Sequence, residues 1–150
     1  MICGLFRKDI ILADVHDTVT RSYNMSRIKG CNTKPEETVR KYLFSKGFRY
    51  RKNDKSLPGK PDIVLPKYKA VVFINGCFWH KHEGCKYFKW PRSNADFWKN
   101  KINRNVERDK QVQHELMKAG WKVITVWECE LKKELFEQTM VQLIDSIKNS

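Results

Sequence analysis

Apolar positions change period several times along the chain, and each change marks an element. In "NTKPEETVRKYLFSKG" (32–47), Val39, Leu43 and Tyr42 recur at helical spacing. Thr33 stands as N-cap with Glu36 as its capping-box partner, Pro35 lies in the first turn, and Gly47 follows the end. "FRYRKN" (48–53) alternates as a half-buried strand, and "DKSLPGK" (54–60) is a turn-rich loop. "PDIVLP" and "KAVVFIN" are short apolar runs separated by Pro66-Lys67-Tyr68, the pattern of a buried hairpin. Residues 94–120 place Trp98, Ile102, Val106, Val112 and Leu116 broadly on one face of a long helix closed by Gly120. "WKVITVW" (121–127) is a β-branched strand with Trp121 and Trp127 expected in the core. A final helix over 131–148 carries Leu135, Phe136, Met140, Leu143, Ile144 and Ile147 at helical spacing. The order α-β-β-β-α-β-α predicts an α/β domain with one mixed sheet flanked by helices. The first dozen residues have no periodicity and read as a loose tail.

A length of 150 residues suits one domain with a sizeable core. No apolar run approaches a bilayer span, and Arg7, Lys8 and Asp9 interrupt the apolar opening where a signal sequence would need a continuous h-region, so neither a membrane protein nor an exported one is expected. The formal charge of +13 changes the picture more, because such a surface attracts polyanions, nucleic acid first among them. Five cysteines make an odd count without the spacing of a disulfide framework, which favours a reducing compartment and a metal.

Three groups of residues carry candidate chemistry. Asp62 heads a buried strand after a proline-ended loop, where a rigid carboxylate suits a hard cation such as Mg²⁺, and Glu36 at the head of the first helix would join it. His80 supplies an imidazole, a side-chain type suited to activating a water that attacks phosphorus, although the same residue could replace His82 as a metal ligand. Cys77, His82 and Cys85 in "NGCFWHKHEGC" offer three ligands for tetrahedral zinc. The fourth could be Cys129 at the end of the last strand, or Cys31 or Cys3. Between the ligands, Phe78 and Trp79, with Trp98 on the long helix, are either core or wedges that part base steps.

"DVHDTVTRSYNMSRIKG", "SLPGKPDIV", "NGCFWHKHEGC", "DFWKNKINRNVERD" and "GWKVITVWECEL", in this order and spacing, closely resemble the very-short-patch repair (Vsr) DNA mismatch endonucleases over roughly residues 14–132. The resemblance implies a restriction-endonuclease-like core over 14–150 behind an N-terminal extension at 1–13. It also implies a Mg²⁺-dependent nick 5′ to the thymine of a T·G mismatch left by deamination of 5-methylcytosine, and a structural zinc. By motif, Asp62 is similar to the family's metal-binding aspartate, His80 to its catalytic histidine and Glu36 to its supporting glutamate. Cys77, His82, Cys85 and Cys129 would be the zinc ligands, with one residue more between His82 and Cys85 than in another variant of the family. Phe78, Trp79 and Trp98 would form the wedge, Met25 would meet it from the other groove, and Asn105 would bond the DNA or the site. The chain departs at Ile74-Asn75, where nucleases of this fold carry an acidic-x-Lys element and some Vsr enzymes a Thr-His pair. There the backbone carbonyl of Ile74 would bind Mg²⁺. The implied partners are duplex DNA with a T·G mismatch and mismatch-repair proteins, for a monomer in the bacterial cytosol. The competing readings are a restriction or structure-specific nuclease of the same fold, and a zinc-stapled DNA-binding protein without catalysis.

Overall fold

The computed structural model describes residues 30–149 together with Val19, Ser22, Tyr23, Ser26 and Arg27. Within 30–149 the order is α1 (Lys34–Ser45), β1 (Arg51–Lys52), β2 (Ile63–Leu65), β3 (Ala70–Asn75), α2 (Ala95–Lys118), β4 (Lys122–Trp127) and α3 (Phe136–Lys148). The sheet runs β1-β2-β3-β4, antiparallel across the first two pairings and parallel between β3 and β4. This is the mixed α/β architecture expected from the pattern, with the core of a restriction-endonuclease-like fold.

All six residues of β3 are buried, because helices cover both faces of the sheet. On one face Ile63, Leu65, Ala70, Val72, Ile74 and Val126 pack with Val39 and Leu43 of α1 and with Met140, Leu143 and Ile147 of α3. The alternate residues Val64, Val71 and Phe73 pack with Leu116 of α2, joined by Val112, Trp121 and Val123. A third cluster of Phe78, Trp79, Trp98 and Ile102 lies past the C-terminal end of β3. No described helix is long and apolar enough to cross a membrane.

Three expectations need correction. The strand over 48–53 shrinks to Arg51–Lys52, since β2 offers only Ile63 and Val64 as partners and the Phe48 amide closes instead on Leu43 O at 3.0 Å. The last helix starts at Phe136 rather than 131, because Glu128–Leu131 forms a 3₁₀ turn and Lys132 is extended; Leu135 is left 45% exposed. Trp127 is half-buried and outside these clusters, while Trp121 is half-buried but packs on the cluster of Val64 and Leu116 as expected.

The loop before Asp62 is pressed onto α2 at Gly59, which has φ +70°, and a Cβ there would lie 2.3 Å from Val112 Cγ1. Gly59→Ala is therefore expected to cost about 2–3 kcal/mol, read as a fall in melting temperature. Adding Val112→Ala should recover the steric share and leave about 1 kcal/mol for the left-handed backbone. No recovery in the double variant would refute the steric account.

Candidate active site and metal centre

β2 and β3 place Asp62. Its carboxylate continues the β2–β3 ladder, with Oδ2 accepting the Ile74 amide at 2.7 Å. Its carbonyl accepts from Arg40 Nη2 at 2.8 Å. Burial, reinforced by the neighbouring Glu36 charge, pushes the carboxyl up to about 7, against the pull of the Ile74 amide and Arg40. The N–H and C=O of one strand residue leave on the same edge, so the Ile74 carbonyl faces the side on which Asp62 holds the amide.

Glu36 is fully buried, and its carboxylate does not cap the helix as the sequence suggested. It accepts from the Asn32 amide at 2.8 Å and the Thr33 hydroxyl at 3.0 Å, so the hydroxyl donates where a capping box would have it accept. Arg40, one turn on, donates to Glu36 Oε2 at 3.2 Å and to Asn32 Oδ1 and Asn53 Oδ1. A single buried guanidinium thus ties Glu36 to the backbone of Asp62.

His80 follows β3 by one turn, its amide donating to Gly76 O at 3.2 Å. Its Nδ1 is hydrogen-bonded to Asp109 Oδ2 of α2, and its Nε2 is buried without a partner among the described residues. Buried Asn75 Oδ1 also lacks a partner, and its side chain shares a small depression with Asp109 and Gln113. Asn105, one turn before Asp109, donates to Trp79 O at 3.1 Å and so pins the backbone just before His80. A buried carboxyl that resists ionisation alone is a group that a hard cation would satisfy, and the buried His80 Nε2 and Asn75 Oδ1 are atoms that a bound water or ligand could partner.

The thiols form a separate centre. Trp127 pairs with Asn75 at the end of the parallel ladder, so Cys77 and Cys129, each two residues further, emerge side by side. The Cys85 amide closes a turn on His82 O at 3.2 Å, and the donor atoms of Cys77, His82, Cys85 and Cys129 all lie within 4.8 Å of one another. This cluster can hold a metal ion. Burial pushes the Cys77 and Cys129 thiols up and the His82 imidazole down, so all three favour neutral forms until a cation is bound. Trp127 stacks on His82 at 4.1 Å and 3°, which is why it is not core. Cys31 lies outside the cluster, and Cys3 lies outside the described residues.

Phe78, Trp79 and Trp98 pack on one another with 4%, 1% and 5% of their surface exposed. As wedges they would first have to leave this cluster. Met25 lies outside the described residues. No local motif marks Asp109 or Arg40, yet each lies four residues after a candidate, Asn105 and Glu36, on the same helical face.

Residues 13–86 match the family described as DNA mismatch endonuclease Vsr. The chain is 53% identical over 140 residues to the type II nicking enzyme V.NmeAIP of Neisseria meningitidis serogroup A, covering 93% of this chain and 99% of that one. It is 41% identical over 136 residues to the DNA mismatch endonuclease Vsr of Escherichia coli K12, covering 89% and 86%. It is 46% identical over 111 residues to the type II nicking enzyme V.XorIIP of Xanthomonas oryzae pv. oryzae, covering 74% and 81%.

Proposed function

This chain belongs to the Vsr family of DNA mismatch endonucleases, and we propose that it nicks one strand of a duplex 5′ to the thymine of a T·G mismatch, with Mg²⁺ at Asp62 and zinc at the thiol centre. Family membership makes it a DNA endonuclease. The target base pair, the metals and the residue roles are our inference, and one observation carries the hydrolytic role: an imidazole held by Asp109 on one nitrogen and, among the described residues, unpartnered on the other.

His80 Nε2 takes the proton of the attacking water. Asp109 holds Nδ1–H, fixes the tautomer and stabilises the imidazolium that forms. Bound Mg²⁺ would supply positive charge opposite the oxygen leaving as a 3′ hydroxyl. Asp62 and the Ile74 carbonyl would hold that ion, and a carbonyl needs no particular side chain, so the loss of threonine at this position is tolerated. Glu36 supports the site through Arg40, which fixes the Asp62 backbone. Cys77, His82, Cys85 and Cys129 would hold zinc and staple the loop that bears His80. A T·G wobble is cheaper to unstack than a matched step, which favours entry of Phe78, Trp79 and Trp98, with Met25 on the other groove.

The test is a labelled duplex with one T·G pair against its C·G counterpart, in Mg²⁺ and without it. A single Mg²⁺-dependent nick 5′ to the mismatched thymine is expected. Cutting of both duplexes would point to a general or restriction nuclease, and binding without cutting to a binding module. Asp109→Asn should slow single-turnover nicking about 10²-fold or more, because a neutral amide neither enforces the tautomer nor stabilises the imidazolium, while duplex affinity is retained. An unchanged rate would remove Asp109 from the mechanism.

A further inference from the structure

The aromatic cluster beside His80 is not closed, and its open ends carry side chains to which neither the sequence motifs nor the proposed mechanism gives a role. Ring contacts run without a break from Trp90 to Phe88 at 5.1 Å, to Phe78 at 6.3 Å, to Trp98 at 5.4 Å and to Phe97 at 5.3 Å. The three inner rings named as wedges are buried, whereas Trp90 is 39% exposed and Phe97 56% exposed. Each end carries an ammonium: Lys81 Nζ lies 5.9 Å from the Trp90 ring centroid, where it also pairs with the exposed Glu83 carboxylate at 3.3 Å, and Lys101 Nζ lies 5.9 Å from those of Phe97 and Trp79. Lys89 and Lys99 are exposed close by in sequence.

We propose, on the reading of the chain as a DNA endonuclease, that Trp90 and Phe97 with Lys81 and Lys101 are the rim by which the protein grips duplex DNA before any base step is opened. The occupant follows from charge and shape. Ammonium groups bordering flat apolar rings suit a polyanion that also offers apolar sugar and base surface, and the chain's formal charge of +13 attracts one. Edge-to-face contacts at 76° and 77° hold the two outer rings in place, so docking them costs little side-chain entropy. The buried rings must move to reach a base step, but the outer pair need not. A division of labour follows: the rim sets affinity for any duplex, and the inner rings set the preference for a mismatch.

The experiment measures binding of T·G and C·G duplexes by anisotropy for the wild type, Trp90→Ala, Phe97→Ala and Lys101→Gln. Each alanine variant should bind both duplexes about 10-fold more weakly with the ratio between them unchanged. Lys101→Gln should flatten the slope of log affinity against log salt by about 0.9. Melting curves would identify any variant that misfolds. As an independent check, DNA should protect part of the wild-type tryptophan fluorescence from acrylamide, and Trp90→Phe should lose that protected component while keeping its affinity. Affinities within twofold of wild type, or a loss confined to the T·G duplex, would overturn the proposal. A wild type that binds both duplexes yet nicks neither would instead overturn the mismatch-nicking reading, leaving the rim to be judged by binding alone.

Discussion

Asp62→Asn is expected to abolish nicking, by about 10³-fold or more, while making the Mg²⁺-free protein more stable. Both effects have one cause. Burial and the Glu36 charge raise the Asp62 carboxyl to about 7, far above its ordinary value of 3.8, so the folded protein without a cation resists ionising it. A raised folded-state value means that the native state holds the proton more tightly than the unfolded chain does. The contribution to stability is therefore complete below about pH 4 and drains away as pH rises through 7. Asparagine keeps the acceptor for the Ile74 amide but has no proton to lose, so its advantage over wild type should grow by about 2 kcal/mol between pH 5 and pH 8. Thermal melts of both proteins at the two values, with no Mg²⁺ added and the thiol centre left loaded, read that difference directly. Duplex binding should survive, since the basic surface is untouched. A variant that still nicks would remove Asp62 from the reaction, and a gain that failed to grow with pH would refute the buried-charge account. Read together, the two results would place the carboxylate where a cation satisfies it, at the expense of the empty fold.

How far the sequence could be read follows the range of the interactions. The hairpin of β2 and β3, helices α1 and α2, and the Cys77–His82–Cys85 set all rest on neighbours close in the chain, and period and spacing report such neighbours well. What depends on distant partners was missed or misjudged. Asp109 meets His80 across 29 residues, and Arg40 meets the Asp62 carbonyl across 22. Neither contact leaves a trace in a local window, although the four-residue offsets from Asn105 and Glu36 were a usable hint. The capping reading of Glu36 failed inside its own window: the carboxylate accepts from the Asn32 amide and the Thr33 hydroxyl and pairs with Arg40 one turn on, a choice of partners that spacing alone does not report. The last helix lost its first turn because a hydrophobic repeat cannot report that Trp127 N–H is held by the Glu130 carboxylate at 2.9 Å and that the chain there carries Cys129 to its partners.

Stripping the thiol centre is the second large effect. Chelation should lower the melting temperature by about 10 °C and end nicking although Asp62, His80 and Asp109 are all intact. The domain has its own core on both faces of the sheet, so it should not unfold outright as a small zinc finger does. What it would lose is the tie between the end of β4, which supplies Cys129, and the segment running from Cys77 to Cys85, on which Phe78, Trp79 and His80 sit. With that tie gone, the segment is held from the α2 side only, by Asn105 on Trp79 O, Asp109 on His80 and the packing of Phe78 and Trp79 on Trp98 and Ile102. Proton linkage sharpens the test. Burial holds the Cys77 and Cys129 thiols up, so binding a cation must expel their protons, and affinity should fall as pH falls. Reactive thiols counted before and after chelation should rise by three, matching Cys77, Cys85 and Cys129. Cys129→Ser should reproduce the lowered melting temperature without a chelator and make a chelator nearly inert. Should the thiol count and the melting temperature both stay fixed under chelation, the centre holds no structural metal, and the fixed position of His80 would have to come from the α2 side alone.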